Sequence, residues 1–242
     1  MSGLFYNLGK KLGPKVRKAK WLWQSIAGTE ADAIRVEHEV GRDLAREIKR
    51  QLELDPEPKA AHTIRQIGAK LTACVADRRR KFDFEIVKGP EPNAFALPGG
   101  FIFVTRSLLE LCQRDQDELA FIIGHEMAHV IRGHAMDRFI SNSAIAIGSI
   151  AAPVRGLIAR WLRTVGVKFL ESAYSQDLEL EADNLGARLT AAAGYDPKAP
   201  AQLLSRLAKL ARPANQSGLG SYFSSHPAFD LRIERVNRLL NR

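Results

Sequence analysis

The run His125-Glu126-Met127-Ala128-His129 holds the residues whose types and spacing could do chemistry. On a helix, positions four apart share a face, so both imidazoles can reach one ion while Glu126 projects beside it toward an open coordination position. Neutral imidazoles suit zinc, which lowers the pKa of a bound water to roughly 7, and a carboxylate that is not a ligand can take the proton released. Leu119, Ile122, Ile123, Met127, Val130 and Ile131 give this helix a buried face. Polar groups set in so apolar a helix need partners, because burying them unpaired is costly. The bland alternative, a helix with two surface histidines and a glutamate, does not account for those apolar flanks.

Two histidines are not enough, since catalytic zinc normally has three protein ligands and one open position. His134 is the nearest further imidazole, but on a continuous helix it lies about 900° past His125, on the opposite face. The longer metzincin pattern fails as well, requiring Gly where this chain has Arg132 and His where it has Ala135. The third ligand must therefore come from another element, and Glu179-Leu180-Glu181-Ala182-Asp183 is the best supplier. Glu179 and Asp183 face the same way on a helix, so one can ligate while the other orients a ligating imidazole through its second nitrogen. Glu181 points about 200° away from Glu179 and is the weaker candidate. An acidic helix face is ordinarily a solvated one; the unmet need for a ligand reverses that reading here.

These segments resemble the M48 family of zinc metallopeptidases, which are gluzincins, and among them the soluble or periplasmic and the mitochondrial-inner-membrane types. Asn93 to Gly100 is similar to the family's hairpin before the active-site helix, and Phe101 to Thr105 to its strand beside the cleft. Asp117-Glu118-Leu119-Ala120 is similar to the start of the active-site helix, and His226-Pro227 with Arg232 resembles the C-terminal signature. The resemblance implies an α+β, mainly helical, zincin-like fold and a zinc endopeptidase with one Zn2+ per chain. It implies His125, His129 and Glu179 as ligands, Glu126 as general base and Asp183 as partner of a ligating histidine. It also implies His226 and Arg232 as stabilisers of the transition state, with a histidine in the place of His226 able instead to approach the metal and hold the enzyme latent. On the residues alone, His226 before a proline is equally a cap or turn residue, and Arg232 one more basic residue on the polar side of the last helix. Phe101, Ile102, Phe103, Val104 and Thr105 could pair with an extended polypeptide by strand addition, a mode suited to unfolded or misassembled substrates.

The elements that must position these residues follow from periodicity. Apolar positions predict helices over residues 30–54 and 59–74, then a strand through Phe82, Phe84 and Ile86. Ala94 to Leu97 and Phe101 to Thr105, separated by Pro98-Gly99-Gly100, predict two more strands and a small sheet of about three. A short helix over 106–112 follows, and Asp115 with Glu118 forms a capping-box pattern opening the helix that carries the histidines. Residues 139–167 read as a helical hairpin, 171–193 as a helix closed by Gly194, and 212–225 as a loop. Asp196-Pro197 opens another helix, and Pro227 to Leu240 is the last.

The 242 residues suffice for one large core, and residues 31–242 read as a single domain preceded by an arm over 1–30. Cys74 and Cys112 permit one disulfide at most and read as small buried apolar residues. The N-terminus does not read as a signal peptide and no continuous apolar stretch is long enough to span a bilayer, which predicts a cytoplasmic or membrane-peripheral protein, or a periplasmic one if a targeting segment lies upstream. The net charge of +9 favours anionic partners. Yet Arg78-Arg79-Arg80-Lys81 and the arm's lysines come with no nucleic-acid-binding motif, so no specific nucleic acid is expected. A non-catalytic or latent, chaperone-like zinc protein is the alternative from another class. The arm itself, with Leu4, Phe5, Leu8, Leu12 and Trp21 to Trp23 among basic residues, reads either as a segment lying on an anionic membrane or as one packing on the body or a second subunit. If it meets a membrane, the protein should co-sediment with anionic liposomes, less so at high salt, and removing residues 1–28 should abolish this. Equal sedimentation with neutral lipid and with the truncated chain would favour the packed arm.

Overall fold

The computed structural model describes residues 28–142, 173–210, 226 and 229–240. Nearly all of the expected arm, most of the expected hairpin over 139–167 and the loop 212–225 lie outside the described residues, while Glu30 already belongs to the first helix. Helices α1 (Glu30–Gln51) and α2 (Pro58–Ala73) come first, followed by strands β1 (Asp83–Val87), β2 (Ala94–Leu97) and β3 (Phe101–Thr105). Then come α3 (Arg106–Leu111), α4 (Gln116–Ile131), α5 (His134–Asn142), α6 (Gln176–Ala192), α7 (Ala199–Leu210) and α8 (Phe229–Leu240). Among the described residues no helix is long and apolar enough to cross a membrane.

The sheet has the order β1-β3-β2, with β1 parallel and β2 antiparallel to β3. This corrects one expectation. Phe101, Ile102, Phe103, Val104 and Thr105 form the central strand, hydrogen-bonded on both sides and buried throughout, so β3 has no edge to offer an extended substrate. The outer strand packed against α4 is β2. Side chains alternate across the sheet as strand geometry requires. Phe84, Ile86, Ala94, Ala96, Ile102 and Val104 join the core built with α2, α4 and α7, while Val87, Phe95, Leu97, Phe101 and Phe103 pack with α1, Met136 and Phe139. Alanines on β2 thus face the α4 side and large apolar side chains face the other.

Asp115 caps α4, its carboxylate accepting from the backbone N–H groups of Asp117 and Glu118. Glu118 does not complete the reciprocal box expected from the sequence; its carboxylate pairs with Arg206 on α7. From Leu119 to Val130 every residue of α4 is buried, so this is a central helix enclosed on all sides. It stops at Arg132, Gly133 takes a left-handed φ of 79°, and α5 starts afresh at His134.

Among the described residues the most extensive helix contact is between α4 and α6, and it depends on glycines. A Cβ on Gly186 would lie 2.8 Å from the backbone nitrogen of His125, and one on Gly124 would lie 3.0 Å from the carbonyl oxygen of Gly186. Both neighbours are backbone, which cannot swing aside. Gly186→Ala should therefore destabilise the protein by about 1–3 kcal/mol, read from urea unfolding. An unchanged midpoint would mean that the helices can part without cost.

Candidate metal centre

His125 and His129 sit one turn apart on α4, and Glu179 faces them from α6; the side chains of all three are at most 1% exposed. His226, just ahead of α8, joins them, and the four offer ligand atoms that all lie within 4.8 Å of one another. The Nε2 atoms of His125 and His129 are 3.1 Å apart. Glu179 Oε2 is 3.6 Å from His125 Nε2 and Glu179 Oε1 is 3.4 Å from His129 Nε2. His226 Nδ1 stands 3.4 Å from His125 Nε2 and 3.0 Å from Glu179 Oε1. Ligands at 2.0–2.1 Å from a tetrahedral zinc stand about 3.3–3.4 Å apart; the separations of 3.0–3.6 Å bracket that spacing, and imidazoles with a carboxylate suit that ion. The residues fit one zinc ion.

Behind the donors lies a charge network. His125 Nδ1 is 2.9 Å from Asp183 Oδ1. Arg232 donates to both oxygens of Asp183, at 2.7 and 2.8 Å, and a third nitrogen lies 3.0 Å from Glu179 Oε2. Its guanidinium also donates to the His226 carbonyl at 3.2 Å. The family resemblance sets Arg232 over the transition state. In the structure it is completely buried on the Asp183 side of the cluster, where its charge holds the two carboxylates. Burial alone would raise the carboxyl pKa values, but His226 and Arg232 around Glu179, and Arg232 beside Asp183, hold both below the ordinary carboxylate value. Burial drives His129 well below the ordinary imidazole value, which keeps it in the neutral form a metal requires.

Glu126 projects from the same helix, 1% exposed, and neither of its oxygens has a hydrogen-bond partner among the described residues. His226 Nε2 is 3.4 Å from Glu126 Oε1, so this imidazole spans from the donor cluster to Glu126. Two neighbours are not legible in the sequence as parts of the site. Tyr174 stacks on the His129 ring, centroids 3.9 Å apart and 14° from parallel, and the Arg138 guanidinium sits 4.4 Å from the Tyr174 ring centre. His134 meets the back of His129, Nδ1 to Nδ1 at 3.1 Å. It stays outside the donor cluster, but not for the reason a continuous helical count supplies, because the helix is broken at Gly133. Glu181 is half exposed and pairs with Arg132 and His134 rather than with the donors.

An HExxH helix with a carboxylate donor from a following helix defines a zincin of the gluzincin type. A family model described as peptidase family M48 matches residues 58–240, about three-quarters of the sequence. The chain belongs to that family. It is 28% identical over 167 residues to the mitochondrial metalloendopeptidase OMA1 of Schizosaccharomyces pombe, covering 66% of this chain and 47% of that protein. It is 35% identical over 143 residues to the Arabidopsis thaliana OMA1, covering 59% of this chain and 28% of the relative. Against the beta-barrel assembly-enhancing protease of Escherichia coli O157:H7 it is 29% identical over 217 residues, covering 85% of this chain and 44% of the relative. The chain thus spans under half the length of these relatives.

Purified protein should contain one zinc per chain, and Glu179→Ala should strip most of it, as read by elemental analysis. Full occupancy after that change would give the ligand's place to another residue. Asp183→Asn should weaken zinc binding about 10- to 100-fold while leaving the circular dichroism spectrum unchanged.

Proposed function

We propose that this chain is a zinc-dependent endopeptidase that hydrolyses peptide bonds in unfolded or misassembled polypeptides. The observation carrying the reading is a set of four donors, whose ligand atoms all lie within 4.8 Å of one another, beside a buried carboxylate, Glu126, that has no hydrogen-bond partner among the described residues. When bound, zinc supplies a Lewis acid for the substrate carbonyl and acidifies an attacking water. Glu126 is the group placed to accept that water's proton and to return it to the leaving amine. Asp183 holds His125 from behind, and Arg232 keeps Asp183 and Glu179 charged, so the donors keep their orientation while Glu126 cycles its proton.

An extended substrate would lie along β2, the outer strand beside α4, in place of the central β3. Recognition through main-chain hydrogen bonds reads backbone more than side chains, which favours locally unfolded chains over particular sequences. Ala96 already gives its carbonyl to Arg138 at 3.0 Å and every residue of β2 is buried, so pairing there would require what covers this edge to move aside. A relative named for enhancing β-barrel assembly is in keeping with substrates that have failed to assemble.

The position of His226 supports a latent resting form. Its Nδ1 is near both His125 and Glu179 and its Nε2 faces Glu126, so as a fourth ligand the ring would take the position of an attacking water. His226→Ala should therefore raise basal casein cleavage. A fall by orders of magnitude would make it an oxyanion donor instead, and an unchanged rate with unchanged zinc would remove it from both roles. In the wild-type chain and in the His226→Ala background alike, Glu126→Gln should lower cleavage about 10²- to 10⁴-fold with zinc retained. Cleavage that survives this change would refute general-base catalysis by Glu126 and the endopeptidase mechanism with it.

A further inference from the structure

The two imidazoles on α4 are backed by different chemistry. His125 turns its Nδ1 to a buried carboxylate, Asp183, itself clamped by Arg232. His129 turns its Nδ1 to another imidazole, that of His134, at 3.1 Å. This meeting exists because α4 ends at Arg132: the left-handed Gly133 turns the chain so that His134, only 4% exposed, comes back under His129 instead of continuing round the helix. His134 Nε2 in turn lies 3.5 Å from Glu181 Oε2, and the other oxygen of Glu181 lies 3.1 Å from Arg132 Nε.

Two facing nitrogens of neutral imidazoles can share one proton, and its owner follows from the donor set. His129 directs Nε2 to the cluster, 3.1 Å from His125 Nε2 and 3.4 Å from Glu179 Oε1, so its lone pair belongs there and its proton sits on Nδ1. His134 must then accept at Nδ1, which leaves its own proton on Nε2, on the side of the Glu181 carboxylate. With zinc on His129 Nε2, the facing pair is self-consistent in this tautomer. Ligating histidines usually give their second N–H to a carboxylate, a carbonyl or water; here a neutral imidazole takes that place.

We propose that His134 is a positioning residue of the zinc site, fixing the tautomer and ring orientation of His129 through an Nδ1–H···Nδ1 hydrogen bond relayed to Glu181. The proposal rests on the zinc reading above. It also explains Glu181: an acidic residue turned away from the donors anchors the far end of the relay from the protein surface.

The test uses the whole 242-residue chain loaded with zinc. Histidine-selective ¹⁵N NMR of the wild type should show His129 protonated at Nδ1 and His134 protonated at Nε2; a His134 protonated at Nδ1 would overturn the proposal without any mutation. His134→Leu should weaken zinc binding about 10- to 100-fold by chelator competition and shift the visible bands of the cobalt-substituted protein. His134→Asn, whose amide oxygen can replace the lost acceptor, should restore most of the affinity and the wild-type bands. Wild-type affinity in His134→Leu, or an equal loss in both variants, would show that accepting this hydrogen bond is not its task. If His134→Leu does not fold, the tautomer in the wild type still decides. Failure of the wild-type chain to hold zinc at all would strike the zinc reading itself, a result distinct from any of these.

Discussion

Two helix backbones meet at Gly124 and Gly186 with no room for a side chain between them, and that proximity sets the geometry of the centre. It lets short carboxylate side chains on α6 reach imidazoles on α4. Separating the helices by the width of a methyl group would move Glu179 and Asp183 outward from both histidines at once. Proximity also has a cost, because it places two carboxylates where water does not reach. Arg232 offsets that cost with one guanidinium that bridges both. A buried ion pair stripped of one partner is destabilising by about 3–5 kcal/mol, so α8, which is distant in sequence, is bound into the centre by charge.

The sheet solves a matching problem on the other side of α4. Strands place successive side chains on opposite faces, and this sheet uses the alternation asymmetrically. Ala94 and Ala96 face the α4 side, letting the helix that bears the histidines lie close to β2. Phe95, Phe101 and Phe103 fill the opposite face against α1, with Phe95 and Phe103 stacked at 5.2 Å between ring centres. Bulk on one face and small side chains on the other set how deep the donor helix sits, and hence why its polar residues are buried as thoroughly as its apolar ones.

Much of this is legible in the chain because the signals are local. The HExxH spacing, the Asp115 cap, the alternation of Phe84 and Ile86, and the Glu179–Asp183 pair are all read within a few residues. What escapes reading depends on encounters between distant segments. The strand over Phe101 to Thr105 shows five apolar or β-branched residues, but nothing in it says that β1 pairs on one side and leaves β2 outermost. Arg232 reads as one more cation on the polar side of α8; only packing reveals that it faces inward to Asp183. The break at Gly133 is visible as a glycine, yet a glycine near a helix end signals a stop without saying where the next residue will point. His134 therefore looks misplaced by a continuous helical count and comes to rest against His129. Tyr174 carries no pattern at all.

The position of Arg232 also bears on how the protein is made. Synthesis runs from the N-terminal side, so His125, Glu126, His129, Glu179 and Asp183 all leave the ribosome before the arginine that neutralises the two carboxylates. Until α8 arrives, closing α6 onto α4 in the absence of zinc would bury two carboxylates with no arginine to bridge them, so that closure is disfavoured in the metal-free nascent chain. A metal-free chain still being translated therefore carries the residues of the donor cluster without their assembled arrangement. The order of the sequence itself delays assembly of the centre until α8 has been made.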